Sequence, residues 1–300
     1  MEKGVRERIL EVLSQKRQVP QSELWRIAGV SKSRASEVLK ELENEGLISK
    51  RRLLGRNVVV KLTNQLRIGI IRAAEYPFVI PFMRRLNANG YKTDLLVYDN
   101  GIEATRALVN GQVDLALSPF ITQALFSAVA GIKILAGGAK GGGALVGGDF
   151  NAVGSTVMSS MDLWLHMEFG NVDVIPFSSG KEMAEAFLSR KVGAVAIWEP
   201  YVTLLERAGH RARRFDLLDC CTLSSRPDLD SDKLIRLYYE SFNDFRSAMD
   251  RWAGVYAEAI GEEYSLISSA LKNYEFDPTL DKRMLERQLR VLGIKLHLNV

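Results

Sequence analysis

Residues 98–120, YDNGIEATRALVNGQVDLALSPF, and residues 177–201, FSSGKEMAEAFLSRKVGAVAIWEPY, repeat one pattern at a fixed offset. Tyr98, Gly101, Glu103, Ala107 and Val113 of the first answer to Phe177, Gly180, Glu182, Ala186 and Val192 of the second. Each copy predicts a strand end, a small polar turn, a helix, a tight turn and a second buried strand that closes at a proline, Pro119 or Pro200. Two such copies describe two similar α/β lobes. Ligands bind α/β sheets in the crevice outside the carboxyl ends of the strands, so paired lobes imply a cleft that holds a small molecule.

Working outward, 300 residues with 47% hydrophobic and 25% charged side chains are ordinary globular composition, enough for two or three domains. The net charge of +4 is unevenly placed. Residues 1–66 hold 14 Lys and Arg against 8 Glu and no Asp, net +6, while the remainder is net −2. A polyanionic partner is therefore expected at the amino-terminal end, although a solvated basic face would show the same charge. Charged residues from Glu2 to Glu11 interrupt any leader-like apolar run, and no stretch reaches membrane-spanning length, so a cytoplasmic location is expected. Cys220 and Cys221 are sequence neighbours, a poor arrangement for an ordinary disulfide and too few for a zinc site; they are expected as buried thiols.

Val5, Ile9, Val12 and Leu13 have helical spacing, Leu24 to Ala28 give a short second helix ended by Gly29, and Ser31 caps a third carrying Ala35, Val38, Leu39 and Leu42. Leu47-Ile48, the basic run Lys50-Arg51-Arg52, a turn at Gly55-Arg56-Asn57 and the strand Val58 to Leu62 then predict a β-hairpin. This order, with GVSKSRASEVLKELENEGLISKRR running from turn through helix to wing, resembles a winged helix-turn-helix of bacterial and archaeal transcription regulators. A recognition helix puts its first residues on base edges, a role for Ser31, Lys32, Ser33, Arg34, Ser36 and Lys40. Arg51, Arg52 and Arg56 are placed to follow the phosphate backbone of double-stranded DNA or to enter a minor groove. The same fold also serves as a plain protein-contact module, against which the basic excess argues.

After the short linker Thr63 to Leu66, residues 67 to about 295 resemble the periplasmic-binding-protein-like superfamily, nearest the branch of nitrate, sulfonate and taurine binding proteins and thiamine-pyrimidine precursor synthases. ALVNGQVDLAL, AIWEPY, the glycine-rich GGAKGGGALV and the late DPTLD carry the resemblance. The fold class implied is α/β: an N-terminal winged helix domain at 1–66, then a two-lobed α/β domain at 67–300, with lobe one about 67–146 and 223–300 and lobe two about 147–222. By that resemblance the ligand meets the loops after the strands, which hold Glu75, Tyr76, Asn100, Ser118, Gly137, Gly138, Ser155, Thr156, Ser178, Ser179, Trp198, Glu199 and Tyr201.

Asn100, Ser155 and Ser178 or Ser179 stand where helices are expected to begin, able to meet an anionic group or simply to cap. Trp198 and Tyr201 around Glu199 offer an aromatic wall with an acidic acceptor, or a core plug. The ligand expected is a small molecule with an anionic, sulfonate-like group or a pyrimidine-type heterocycle. The synthases carry a longer cysteine cluster where Cys220-Cys221 lies and use it with iron; here that cluster is absent, and no nucleophile, base and orienter set is evident. The expectation is a ligand-responsive, non-enzymatic transcription regulator without cofactor or metal, dimeric by operator symmetry. The alternative is an enzyme or binding protein related to thiamine-pyrimidine precursor synthesis.

Overall fold

A computed structural model of the chain describes residues 4–16, 18–52, 58–148, 152–291 and 293–294. They form two compact units, one of residues 1–66 with 90–92, the other of residues 67–89 with 93–300. Among the described residues no helix is long and apolar enough to cross a membrane.

In the first unit α1 (Val5–Lys16), β1 (Val19–Pro20), α2 (Gln21–Ile27) and α3 (Lys32–Asn44) precede the hairpin of β2 (Ile48–Arg52) and β3 (Val58–Leu62). Ile9, Leu13, Leu24, Val38, Leu42 and Val60 pack into one core, because the apolar residues of each helix recur on a single face. Ser31 caps α3, its hydroxyl accepting from the Arg34 N–H at 3.3 Å, while Arg6 forks onto Glu45 to tie the start of α1 to the end of α3. The expected turn at residues 55–57 lies outside the described residues.

β4 (Gln65–Ile71) leads from the first unit into the second, followed by α4 (Val79–Ala88), β5 (Lys92–Tyr98), α5 (Gly101–Val109), β6 (Leu115–Pro119), α6 (Phe120–Ala130) and β7 (Lys133–Gly141). Then come β8 (Gly143–Gly147), β9 (Val153–Ser155), α7 (Ser160–Phe169), β10 (Val174–Pro176), α8 (Gly180–Leu188), β11 (Ala194–Trp198), α9 (Tyr201–Arg207) and β12 (Ala212–Arg214). β13 (Asp219–Ser225), α10 (Asp232–Ser247), α11 (Met249–Ile260), α12 (Tyr264–Leu271), β14 (Tyr274–Phe276) and α13 (Lys282–Val291) complete it. Lobe one is the six-stranded sheet β14-β7-β13-β6-β4-β5; lobe two is the five-stranded sheet β10-β9-β11-β8-β12. The chain crosses between lobes at Gly141–Gly142 and returns before Asp219, so β8 pairs with β11 in lobe two. Both expected lobe boundaries therefore move earlier: residues 143–146 pair into the lobe-two sheet and residues 219–222 into the lobe-one sheet.

The repeat is explained by this architecture. β4 and β6 run parallel in one lobe, β9 and β11 in the other, and each repeat copy supplies a helix and the strand after it. The two matching glycines share one reason: a Cβ on Gly101 would lie 2.4 Å from the Pro119 ring, and one on Gly180 would lie 2.4 Å from the Tyr201 ring. Any larger side chain would push the helix start off the end of its strand.

Candidate functional site

In the first unit the recognition-helix residues divide cleanly by burial. Ser31, Lys32, Ser33, Arg34, Ser36 and Lys40 are exposed, while Ala35, Val38 and Leu39 face the core. A groove of about 290 Å³ runs beside them, with Gln21, Ser22 and Trp25 of α2 on one side and Lys32 and Ser36 of α3 on the other. Arg34 pairs with Glu37 one turn on at 2.8 Å, and Lys50 of the hairpin pairs with Glu43 at 2.6 Å. Arg52 is exposed on β2 opposite Val58; Arg51 lies opposite Val59; Arg56 falls outside the described residues.

In the second unit two adjoining cavities occupy the crevice between the lobes. The larger, about 270 Å³, is walled by Asn100 to Glu103 and Arg106 of α5, Thr122 of α6, the loop Thr156 to Ser159, and Phe177 with Ser178. The smaller, about 20 Å³, shares Gly101, Thr156 and Ser159 with it and adds Glu75, Met161 and Cys220. Ile71, Pro119 and Trp198 also line the smaller cavity, and Thr156 follows the end of β9. The carboxyl ends of β4, β6, β9 and β11 thus meet there, the crevice that paired parallel units produce.

Three helices aim their first turns at this crevice, and each carries a cap followed three residues later by an acid. Asn100 Oδ1 accepts from the Glu103 N–H at 2.9 Å, Ser159 Oγ from Asp162 at 3.1 Å, and Ser179 Oγ from Glu182 at 3.1 Å. Glu182 returns the bond by accepting from the Ser178 N–H and hydroxyl, which holds its carboxyl below the usual range. Met158 sits at φ 58°, strained for a side-chain-bearing residue, pinned by its N–H on Asp162 and its carbonyl under the Thr122 hydroxyl at 2.5 Å. Helix dipoles make such convergence favourable to negative charge, and Arg106 adds a cation on the wall that also carries Glu103.

At the inner end Glu75 is fully buried, and its Oε1 has no hydrogen-bond partner. Burial pushes its pKa up to about 8. The neighbouring Tyr76 hydroxyl donates to Cys221 Sγ at 2.9 Å, and burial raises Tyr76 and Cys221 well above their usual values. Ser155 Oγ is also buried and unpartnered.

Of the residues expected at the ligand, Asn100, Thr156 and Ser178 line the larger cavity, and Glu75, Thr156 and Trp198 the smaller. Others line neither. Ser118 is occupied by Thr105 and Gln123; Gly137 and Gly138 are pressed against Thr279 and Phe78; Ser179 is a cap behind Ser178. Tyr76 lies behind Glu75 on Cys221, and Tyr201 packs edge-on to Trp198, its hydroxyl raised by burial to about 12. Glu199 is taken up by the scaffold: Oε1 accepts from Arg214 at 2.9 Å and Asn273 at 2.7 Å, and Oε2 from the Thr203 N–H at 2.9 Å. The expected helix start at Ser155 is corrected to Ser159, because Val153–Ser155 extends as β9. Ser159, Met158, Thr122 and Arg106 were not foreseen; for Ser159 the pattern Ser159-x-x-Asp162 was the available signal.

Residues 6–55 match the MarR family. The amino-terminal unit is a MarR-type winged helix. The rest of the chain has the periplasmic-binding-protein-like fold. It is similar to the ligand-binding component of an ABC-type import system from Staphylococcus aureus, at 16% identity over 77% of this chain and 91% of that one, TM-score 0.63. The alkanesulfonate-binding protein SsuA from Xanthomonas axonopodis pv. citri bound to MOPS matches at 16% identity, 77% and 91% coverage, TM-score 0.62. The periplasmic aliphatic sulphonate binding protein SsuA from Escherichia coli matches at 19%, 77% and 86%, TM-score 0.59. At these identities the likeness is one of fold. No curated protein sequence matches the chain.

Proposed function

We propose that this chain is a one-component transcription regulator of the cytoplasm, whose winged helix binds operator DNA and whose two-lobed unit closes on a small metabolite to alter that binding. The observation that carries the reading is the pairing, in one chain, of a MarR-type head with a binding-protein fold whose interlobe crevice holds a cavity of about 270 Å³ lined by both polar and apolar side chains. A ligand bound better by closed than by open lobes shifts the balance between two states, and that differential affinity is what couples the two functions.

The cavity favours an anionic group on the ligand. The helix start at Gly101 and the Arg106 cation in the larger cavity, and the helix start at Ser160 in the smaller, suit oxyanions, while the Ser178 hydroxyl is held by Glu182. Two proteins sharing the fold bind sulfonates, which agrees with this chemistry. Asn100, Thr156, Ser178 and Trp198 are the ligand contacts of this reading, and Ser31, Lys32, Ser33, Arg34, Ser36, Lys40, Arg51, Arg52 and Arg56 the DNA contacts. Two heads on a two-fold operator would make the working form a homodimer.

Thermal melts with a panel of short sulfonates, sulfate esters and carboxylates, MOPS included, test the ligand half. A ligand at 100 times its Kd raises stability by about 2.7 kcal/mol, and mass spectrometry recovers it unchanged. Recovery of a converted product would favour the enzyme reading instead.

A further inference from the structure

The inner end of the crevice brings together three metal-ligating groups that the sequence separates. The carboxylate of Glu75, in the loop after β4, and the thiols of Cys220 and Cys221, on β13, offer donor atoms that all lie within 4.8 Å of one another, each in a buried residue. Adjacent residues of a regular strand point to opposite faces. Here β13 shifts register against β7 between Asp219 and Cys221 and again between Cys221 and Leu223, and the two Sγ atoms lie 3.5 Å apart. Both thiols are free.

We infer that Glu75, Cys220 and Cys221 bind a single zinc ion at the floor of the crevice. Zn–S bonds of about 2.3 Å at a tetrahedral angle place two sulfurs roughly 3.7 Å apart, close to the separation seen. Glu75 Oε1, buried and without a hydrogen-bond partner, is the third donor. The cavity of about 20 Å³ beside Glu75 and Cys220 has room for about one water, the fourth ligand of an open site. Two thiolates and a carboxylate exceed the ion's charge by one. The Tyr76 hydroxyl donates to Cys221 Sγ, and the start of α7 at Ser160, whose hydroxyl bonds the Cys220 carbonyl at 2.6 Å, brings a helix N-terminus to offset the excess. Binding changes no oxidation state: the thiol protons, and that of Glu75 where present, leave to solvent. The inference needs only these side chains and stands apart from the regulatory reading.

The test uses the full chain stripped with chelator under reductant, then titrated with Zn(II) against a chromophoric competitor and, separately, with Co(II). One ion per chain is expected, with a thiolate-to-cobalt charge-transfer band in the near ultraviolet. Cys220→Ser and Cys221→Ser should each weaken Zn(II) binding at least tenfold, Glu75→Gln should weaken it less, and metal-free melts of all three variants and the parent protein identify any variant lost to misfolding. Absence of the charge-transfer band in the parent protein, or unchanged affinity and stoichiometry in a folded cysteine variant, would overturn the site.

Discussion

Asn100 spans the two lobes. Its Oδ1 accepts from Glu103 to cap α5, which turns Nδ2 toward the Ser178 carbonyl of the opposite lobe at 2.9 Å. The cap residue of one repeat copy thus grips the residue before the cap of the other, at the mouth of the larger cavity. One side chain both starts a helix and latches the crevice.

Asn100→Asp should keep the cap and lose the latch, because a carboxylate accepts from Glu103 but cannot donate to a carbonyl. It should melt near the parent protein yet show a larger radius of gyration by small-angle scattering. Asn100→Ala should lose both, costing about 1 kcal/mol from the cap alone. Identical scattering profiles would mean that the bond does not hold the lobes.

The repeat, the winged helix and the crevice were legible because each is local: apolar periodicity, cap residues and prolines at strand ends are written in consecutive residues. What was not legible depended on distant partners. Glu199 looked available for a ligand in the run AIWEPY, and only the fold brings Arg214 and Asn273 onto its carboxylate. Cys220 and Cys221 are two donors in the sequence, and only the fold brings the Glu75 carboxylate to them.

Glu199→Gln should therefore destabilise the protein, leaving Arg214 without its carboxylate. Arg214 is one-third exposed, so the cost falls below that of a fully buried pair, on the order of 2–3 kcal/mol. Denaturant unfolding measures it. A variant of full stability that fails to bind ligand would return Glu199 to the binding surface.

Glu75 gives a pH dependence of unusual sign. Its pKa of about 8 in the folded chain exceeds the ordinary value of 4.5, so the folded state holds the proton more tightly than the unfolded one. Stability from this group is present in full at acidic pH and declines as pH rises from about 4.5 to about 8, by roughly 3–5 kcal/mol in all. Tyr76, Cys220 and Cys221 face it, and burial keeps these groups neutral over that range. Metal-free melts of the parent protein and Glu75→Gln across pH 5 to 8.5 should diverge, the variant gaining relative to the parent as pH rises. Parallel curves would place an ionised Glu75 in the fold.

Replacing Arg51, Arg52 and Arg56 with alanine should weaken binding to all duplexes and lower the salt slope by about one unit per lost phosphate contact. Ser33→Ala or Arg34→Ala should instead flatten sequence preference. Binding isotherms from low to moderate salt separate the two, and an unchanged slope in the triple variant would remove the hairpin from the footprint.

Coupling between crevice and DNA can be measured without knowing the ligand. Asn100→Cys and Ser178→Cys, combined in the full chain and bridged by a short thiol cross-linker verified by mass, would hold the lobes together. Fluorescence anisotropy against a duplex selected from a random pool then compares bridged and unbridged protein. A change in DNA affinity of fivefold or more is expected, the lower end of ordinary allosteric coupling. Equal affinity in the two forms, with the bridge intact, would contradict the claim that lobe closure governs DNA binding.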